Sequence, residues 1–358
     1  MKTKKRILVC PLDWGLGHAT RCIPVIHELQ KQGAEVVIAA DKRPLELLKQ
    51  EFPRLQFIVF PGYEIAYPEN GSMVLKMAFS IPKILRKISE EKKLLKEIVR
   101  KEKINGVISD NRYGLGITEV PTVLMLHQLM IKSPFGESIL HQITLNYVKQ
   151  FSFCWVPDFT GEFNLSGDLA HQYPLPDNAD FVGALSRFSS FQKNEEIEKQ
   201  YDLLVIISGP EPQRTDFEKL IVQQVESLPQ RTLVVLGKPE HKEKTDRIGN
   251  AEIISHLNAE QLFNAISASE LVLTRPGYST IMDLAVMKKK AIFVPTPGQT
   301  EQEYLGNLYH QKNLHLRVKQ NELDVAKSIE QVSVFNGFSE FPETDLLSEN
   351  VTKFLSAC

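Results

Sequence analysis

The stretch LVLTRPGYSTIMDLAVMKKKAIFVPTPGQTEQ, residues 271–302, decides the fold. It opens with an apolar run of strand length at 271–274, passes a glycine-containing turn, Arg275-Pro276-Gly277-Tyr278-Ser279-Thr280, and continues as a helix over about 280–287. A second apolar run at 291–295 and a loop at 296–301 follow. Strand, helix and strand in that order build a parallel sheet, and such sheets bind ligands outside the carboxyl ends of their strands. The turn therefore puts a helix N-terminus at the ligand edge, where backbone N–H groups and the Ser279 and Thr280 hydroxyls suit a diphosphate. Asp283 falls about one helical turn further on, on the same face, badly placed for phosphate and well placed to accept from a ribose diol. Glu301 and Gln302 end the loop and offer acceptors and donors to a polyhydroxylated ligand.

Working outward, a chain of 358 residues with a formal net charge of −2 suggests two domains of ordinary size and no bulk attraction to nucleic acid. A hydrophobic content of 42% fills two cores. The basic start, Lys2, Lys4, Lys5 and Arg6, precedes an apolar run of four residues, too short for a signal peptide or a span, so a cytoplasmic protein is expected. Cys10, Cys22, Cys154 and Cys358 show no CxxC spacing and read as reduced, mostly buried thiols.

The N-terminal half repeats the same logic. A strand at 7–11 runs into Asp13-Trp14-Gly15-Leu16-Gly17-His18-Ala19-Thr20-Arg21, a glycine turn that leads into a helix with Ile23, Ile26 and Leu29 on one face. Pro24 is expected near the start of that helix, where its missing N–H costs little. Strands are expected at 36–40, 57–60, 106–110, 121–125 and 151–156, with helices between them. Asp110 then stands at a strand end, followed by Asn111-Arg112-Tyr113-Gly114, and His127-Gln128 stands just past the next. The insertion at 73–103 joins apolar residues, Met73 to Ile84, to a Lys-rich helical run. It fits either peripheral contact with an anionic membrane or a surface helix with an ordinary buried stripe. Further strands are expected at 201–208, 232–236 and 252–254.

Strand, glycine turn, helix with an internal acid, a strand ending in Val-Pro, then Gln resembles the donor-binding half of family 28 glycosyltransferases, the family of the peptidoglycan N-acetylglucosaminyltransferase and monogalactosyldiacylglycerol synthases. The resemblance implies an α/β fold of the GT-B class, two Rossmann-like doubly wound domains facing a central cleft. The expected division is 1–160 for an acceptor-side domain, 161–344 for a nucleotide-sugar domain, and 345–358 for a helix packing back on the first. By position it implies that the turn, Arg275 and Gly277 to Thr280, holds the diphosphate of a UDP-sugar, that Asp283 binds the ribose, and that Gln302 reads the sugar with Glu301 beside it. Arg187, after a Val-Gly strand end, is implied as a diphosphate partner, and Leu257 as part of the backbone that reads the base. In the loop Ser208-Gly209-Pro210-Glu211-Pro212 the prolines remove donors, so Ser208 and Gly209 carry its phosphate contacts. Four places depart from the family pattern: Asp283 where Glu is usual, Leu305 where Asn is usual, Gln128 in place of an acid, and the loop after Ser208, which is usually richer in Gly.

GLGHATR resembles the N-terminal turn of the same transferases and, through GLGH with Arg21-Cys22, nucleotide-sugar hydrolases of nonulosonic acid synthesis. Both imply His18 in proton transfer, with Asp110 as the alternative base, while Gly15, Gly17, Arg21 and His127 lie on the acceptor side and Arg21 holds a carboxylate or the loop. The implied reaction is inverting transfer of a hexose-type sugar to a hydroxyl acceptor, lipid-linked or otherwise hydrophobic. No Asp-x-Asp string is present, which agrees with a site needing no metal or other cofactor. Two other readings stay open: hydrolysis of a nucleotide sugar by water, and a non-catalytic sugar-nucleotide-binding subunit.

Overall fold

The computed structural model describes residues 4–13, 15–62, 73–132, 136–191, 197–238, 245–338, 342 and 344–358, with the side chains of 73–85 outside the described set. The chain forms two compact units, Met1–Leu185 with Glu343–Cys358, and Ser186–Pro342.

In the first unit the order is β1 (Arg6–Pro11), α1 (Gly17–Lys31), β2 (Glu35–Ala40), α2 (Lys42–Glu51), β3 (Gln56–Val59), α3 (Met73–Lys101), β4 (Gly106–Asp110), β5 (Thr122–Met125), α4 (Glu137–Val148), β6 (Phe153–Val156), α5 (Asp168–His171) and β7 (Ala179–Phe181). The strands lie side by side as β3-β2-β1-β4-β5-β6-β7, all parallel. Near-continuous Val, Ile and Leu along β1, β2, β4 and β5 is the pattern of strands buried on both faces.

Strand β7 moves the expected boundary. It pairs with β6, so the segment after residue 160 still belongs to the first unit, which ends at Leu185. Pro24 is also corrected: α1 begins at Gly17, which leaves Pro24 inside the helix rather than in its first turn.

The basic half of the 73–103 insertion is a surface helix with a buried stripe and exposed ion pairs from Arg86 and Lys87 to Glu90, as the second of the two readings expected. Leu95, Ile98 and Val99 of α3 join the core, and Glu91 meets Arg112, the residue expected at the ligand edge. Arg112 is wholly buried: Nε and Nη2 donate to Glu91 Oε1 at 3.0 and 2.7 Å, Nη1 donates to Phe60 O at 3.0 Å, and the guanidinium lies over the Phe60 ring. The apolar part of the insertion, Met73 to Ile84, on which the membrane expectation rests, has its side chains outside the described residues. Among those described, no helix is long and apolar enough to cross a membrane.

The C-terminal helix α11 (Leu346–Ala357) belongs to the first unit, and its Phe354 meets Trp155 of β6 edge to face at 6.0 Å. Gly106 makes room for it, because a Cβ there would stand 2.6 Å from the Phe354 ring and 2.5 Å from Cys358 Sγ. Cys10, Cys22 and Cys154 are buried, Cys358 is half-buried, and all four are free thiols as expected.

The second unit runs β8 (Tyr201–Ile206), α6 (Gln213–Val225), β9 (Thr232–Val235), β10 (Thr245–Ile248), β11 (Ala251–Ile254), α7 (Ala259–Ser267), β12 (Ser269–Thr274), α8 (Tyr278–Val286), β13 (Ala291–Phe293), α9 (Thr300–Gln311), β14 (Leu316–Arg317) and α10 (Val325–Gln331). Its sheet is ordered β10-β11-β9-β8-β12-β13-β14, parallel except for the β10–β11 hairpin. Asn258 and Gln261 close a reciprocal capping box at the start of α7, which fixes where the chain turns after β11.

Candidate functional site

In an open parallel sheet the ligand edge lies where the strand order reverses, because the loops of the two flanking strands diverge there. The first sheet reverses between β1 and β4. The loop after β1 delivers His18 and Arg21, one turn apart on α1, and β4 ends on Asp110. The structure brings these three together with His127. His18 Nδ1 lies 3.1 Å from Asp110 Oδ2 and 2.9 Å from Arg21 Nη2. Arg21 Nε donates to both Asp110 oxygens at 2.8 Å, and Arg21 Nη1 donates to His127 Nδ1 at 2.9 Å.

Asp110, Arg21 and His127 are buried, whereas 15% of the His18 side chain remains exposed. Burial pushes the Asp110 carboxyl up, but Arg21 and His18 outweigh it and hold it below the usual range. That geometry corrects one expectation. An enclosed carboxylate committed to a guanidinium is placed to hold His18, not to reach an acceptor as an alternative base. Gly15 stands in the left-handed region at φ +77°, and Gly17 is the first residue of α1. Both shape the turn that presents His18.

The second sheet reverses between β8 and β12. After β8 come Ser208 and Gly209, the latter at φ +120°, a conformation that a side chain would strain. After β12 helix α8 begins, with Gly277 at its N-cap and no side-chain cap. Its φ of −72° is open to any residue; what the glycine provides is space, since a Cβ would meet nothing nearer than Thr280 Oγ1 at 3.9 Å. The helix starts at Tyr278, slightly earlier than expected, so Ser279 and Thr280 both lie in its first turn.

Several donor-side expectations change. Asp283 is buried and already has partners in its own unit: Ser186 Oγ donates to Oδ1 at 2.7 Å, and Arg187 Nε and Nη2 each lie 3.1 Å from Oδ2. Burial raises its pKa, and Arg187 and Ser186 offset that only in part. Arg187, expected against a diphosphate, is thus half of an ion pair.

Arg275 lies in the turn after β12, but its side chain is buried. Its guanidinium is buried over Phe217 at 3.9 Å and donates to the carbonyls of Val294 and Pro295 at 2.8 and 2.9 Å. Burial lowers its pKa to about 9. It fastens the end of β13, and with it the loop that follows.

In that loop Gln302 is buried with Oε1 accepting from Thr296 N at 2.8 Å, so its amide carbonyl is engaged. Leu305, where the family has Asn, is wholly buried in α9. Leu257 is buried too, which leaves backbone groups as what that position can offer a base. Glu301 is half-buried at the start of α9. Sequence reasoning missed Ser186, whose hydroxyl orients Asp283, although it sits beside Arg187 in the same Leu-Ser-Arg turn.

Residues 204–353 match the model of the glycosyltransferase family 28 C-terminal domain. The matched span holds both loops of the second switch point, helix α8 and Gln302, and so covers the donor-side candidates Ser208 to Gln302, with Ser186 and Arg187 just before it.

An uncharacterized glycosyltransferase of Methanopyrus kandleri is 20% identical over 327 residues, covering 85% of this chain and 90% of its own. Among solved structures, Acinetobacter baumannii MurG is 12% identical with a TM-score of 0.53, covering 99% of this chain and 95% of that one. Spinosyn rhamnosyltransferase SpnG is 16% identical with a TM-score of 0.63, covering 99% and 96%. A second SpnG structure, complexed with thymidine diphosphate, has a TM-score of 0.60 at 13% identity, covering 98% and 96%. At these identities the likeness concerns the fold, and the fold class is GT-B.

Proposed function

We propose that the protein transfers a sugar from a UDP-sugar to a hydroxyl acceptor, with its family 28 domain holding the donor and its first unit supplying the proton-transfer group. The observation that carries the donor half is the N-terminus of α8 at the strand-order reversal, with a glycine that keeps the space before it clear. The positive end of a helix there stabilises charge that develops on a departing diphosphate. Ser279 and Thr280 add hydroxyls in the same turn. Arg187 contributes less than a lone arginine would, because Asp283 already balances its charge.

In this reading Asp283, oriented by Ser186, accepts from the ribose, and Gln302 donates to the sugar through its amide nitrogen. The thymidine diphosphate bound to SpnG supports a pyrimidine nucleoside diphosphate as donor, and UDP is the first candidate. The acceptor oxygen bonds to the anomeric carbon as that carbon's bond to the diphosphate oxygen breaks, and His18 takes the acceptor's proton while Asp110, fixed by Arg21, holds the ring. No metal is required for the charge balance proposed, and the acceptor is taken as a hydrophobic or lipid-linked alcohol.

Calorimetry against UDP, dTDP, GDP and CDP without added metal tests the donor half. UDP is expected to bind most tightly, and Asp283→Ala to weaken it at least tenfold, since a charge-assisted hydrogen bond contributes about 1.5–3 kcal/mol. Equal affinity of the folded variant and the parent chain would refute the ribose role of Asp283. Binding of none of the four would refute the donor site.

A further inference from the structure

Among the described residues, the charged and titratable groups around His18 are Arg21 on its own helix, Asp110 at the end of β4 and His127 beyond β5. In an isolated pair of histidine and aspartate, the carboxylate serves the ring alone and offsets the charge gained with a second proton. Here the carboxylate is shared. Arg21 Nε lies 2.8 Å from each Asp110 oxygen, and Arg21 Nη2, also bonded to Oδ1, lies 2.9 Å from His18 Nδ1, closer than Asp110 Oδ2 at 3.1 Å.

We propose that Arg21 is a positioning residue for proton transfer at His18: it fixes Asp110 through both oxygens and denies the imidazole a counter-ion of its own. This rests on the reading of His18 as the proton-transfer group. By bonding His127 as well, Arg21 ties α1, β4 and the segment after β5 into one rigid set.

The charge count gives the consequence. Asp110 and Arg21 cancel, so the set is neutral while the imidazole is neutral and gains a net positive charge when His18 is protonated. Burial acts in the same direction. The His18 pKa lies below its ordinary value, through burial first and Arg21 second, with Asp110 opposing both. The ring therefore stays unprotonated, and ready to accept a proton, to a lower pH than an exposed histidine.

The test is an NMR titration of the whole chain with labelled histidine, the His18 signals being assigned through His18→Gln. The parent midpoint is expected below the ordinary value of about 6.5. Arg21→Met should raise it by about one pH unit or more, because a positive neighbour is lost and Asp110 is released to the ring. Arg21→Lys keeps the charge, and its midpoint should stay near the parent's.

If transfer is observed, the acid limb of the kcat profile of Arg21→Met should move to higher pH, since the neutral base is then lost earlier on acidification. A parent midpoint at or above 6.5, or an unmoved midpoint in folded Arg21→Met, would overturn the proposal. Should Arg21→Met not fold, the parent midpoint alone decides. The titration needs no substrate, so its failure is separable from failure of His18→Gln to impair turnover, which would instead remove the catalytic reading.

Discussion

His18→Ala is expected to lower kcat by roughly 10²- to 10⁴-fold, the usual worth of a positioned general base, with UDP affinity unchanged. The ring stands at the ligand edge of the first unit, partly exposed, with its Nδ1 within hydrogen-bond distance of Asp110 and Arg21. Proton pickup falls to Nε2 in the tautomer whose Nδ1–H donates to Asp110. The donor candidates lie in the second unit, which is why affinity and turnover should separate. Folding should be little disturbed, because Arg21 keeps Asp110 paired when the imidazole is gone. Steady-state rates and calorimetry on the same preparation check it. Loss of UDP affinity with turnover per bound donor unchanged would assign His18 to the donor instead.

Arg112→Met is expected to destabilise the first unit by about 3–5 kcal/mol, the cost of leaving one partner of a buried ion pair uncompensated. Arg112 and Glu91 are both buried, and three further interactions of the guanidinium, with Phe60 O, Pro61 O and the Phe60 ring, go with it. Trp155 is buried in β6 of this unit, so fluorescence-detected denaturant unfolding reports on it.

The loss has a pH signature. Burial raises the Glu91 pKa even with Arg112 present. A carboxyl whose folded pKa exceeds its unfolded one gives the folded state more bound protons, so stability rises as pH falls through the folded pKa. Without Arg112 that pKa rises further, and the deficit should shrink as Glu91 becomes protonated. Arg112→Met combined with Glu91→Gln should recover part of the loss at neutral pH. A deficit under about 1 kcal/mol that is flat with pH would show that the pair is not what anchors α3.

The strand–turn–helix–strand at 271–302 was legible because its apolar runs are bounded by Pro, Gly and Lys, and its strand and helix limits lie within a few residues of those expected. Strands β7, β10 and β14 were not. β7 reads Ala-Asp-Phe, β10 reads Thr-Asp-Arg-Ile and is mostly exposed, and β14 has two residues, so none carries a periodic apolar signal. Losing β7 misplaced the domain boundary.

Pro24 misled because proline is disfavoured inside helices, yet α1 starts earlier, in the glycine turn itself. At the site, Arg21 holding a carboxylate was foreseen, and Asp110 is that carboxylate. Which charges neutralise one another was not legible: Arg187 and Asp283 are 96 positions apart, and Arg112 meets a glutamate 21 positions before it. Separations of that size leave no periodic trace. Arg275 illustrates the same limit, since its position in the turn fits a ligand contact and its side chain points into the domain.

The most direct test of the account is an assay of the purified chain with UDP-sugars, without added metal, following UDP release and sugar transfer with and without extracted lipid acceptors. The account predicts UDP release that depends on an acceptor, with the sugar recovered on it and both lost in His18→Ala. Prompt release of UDP with water alone would contradict transfer and make the protein a nucleotide-sugar hydrolase.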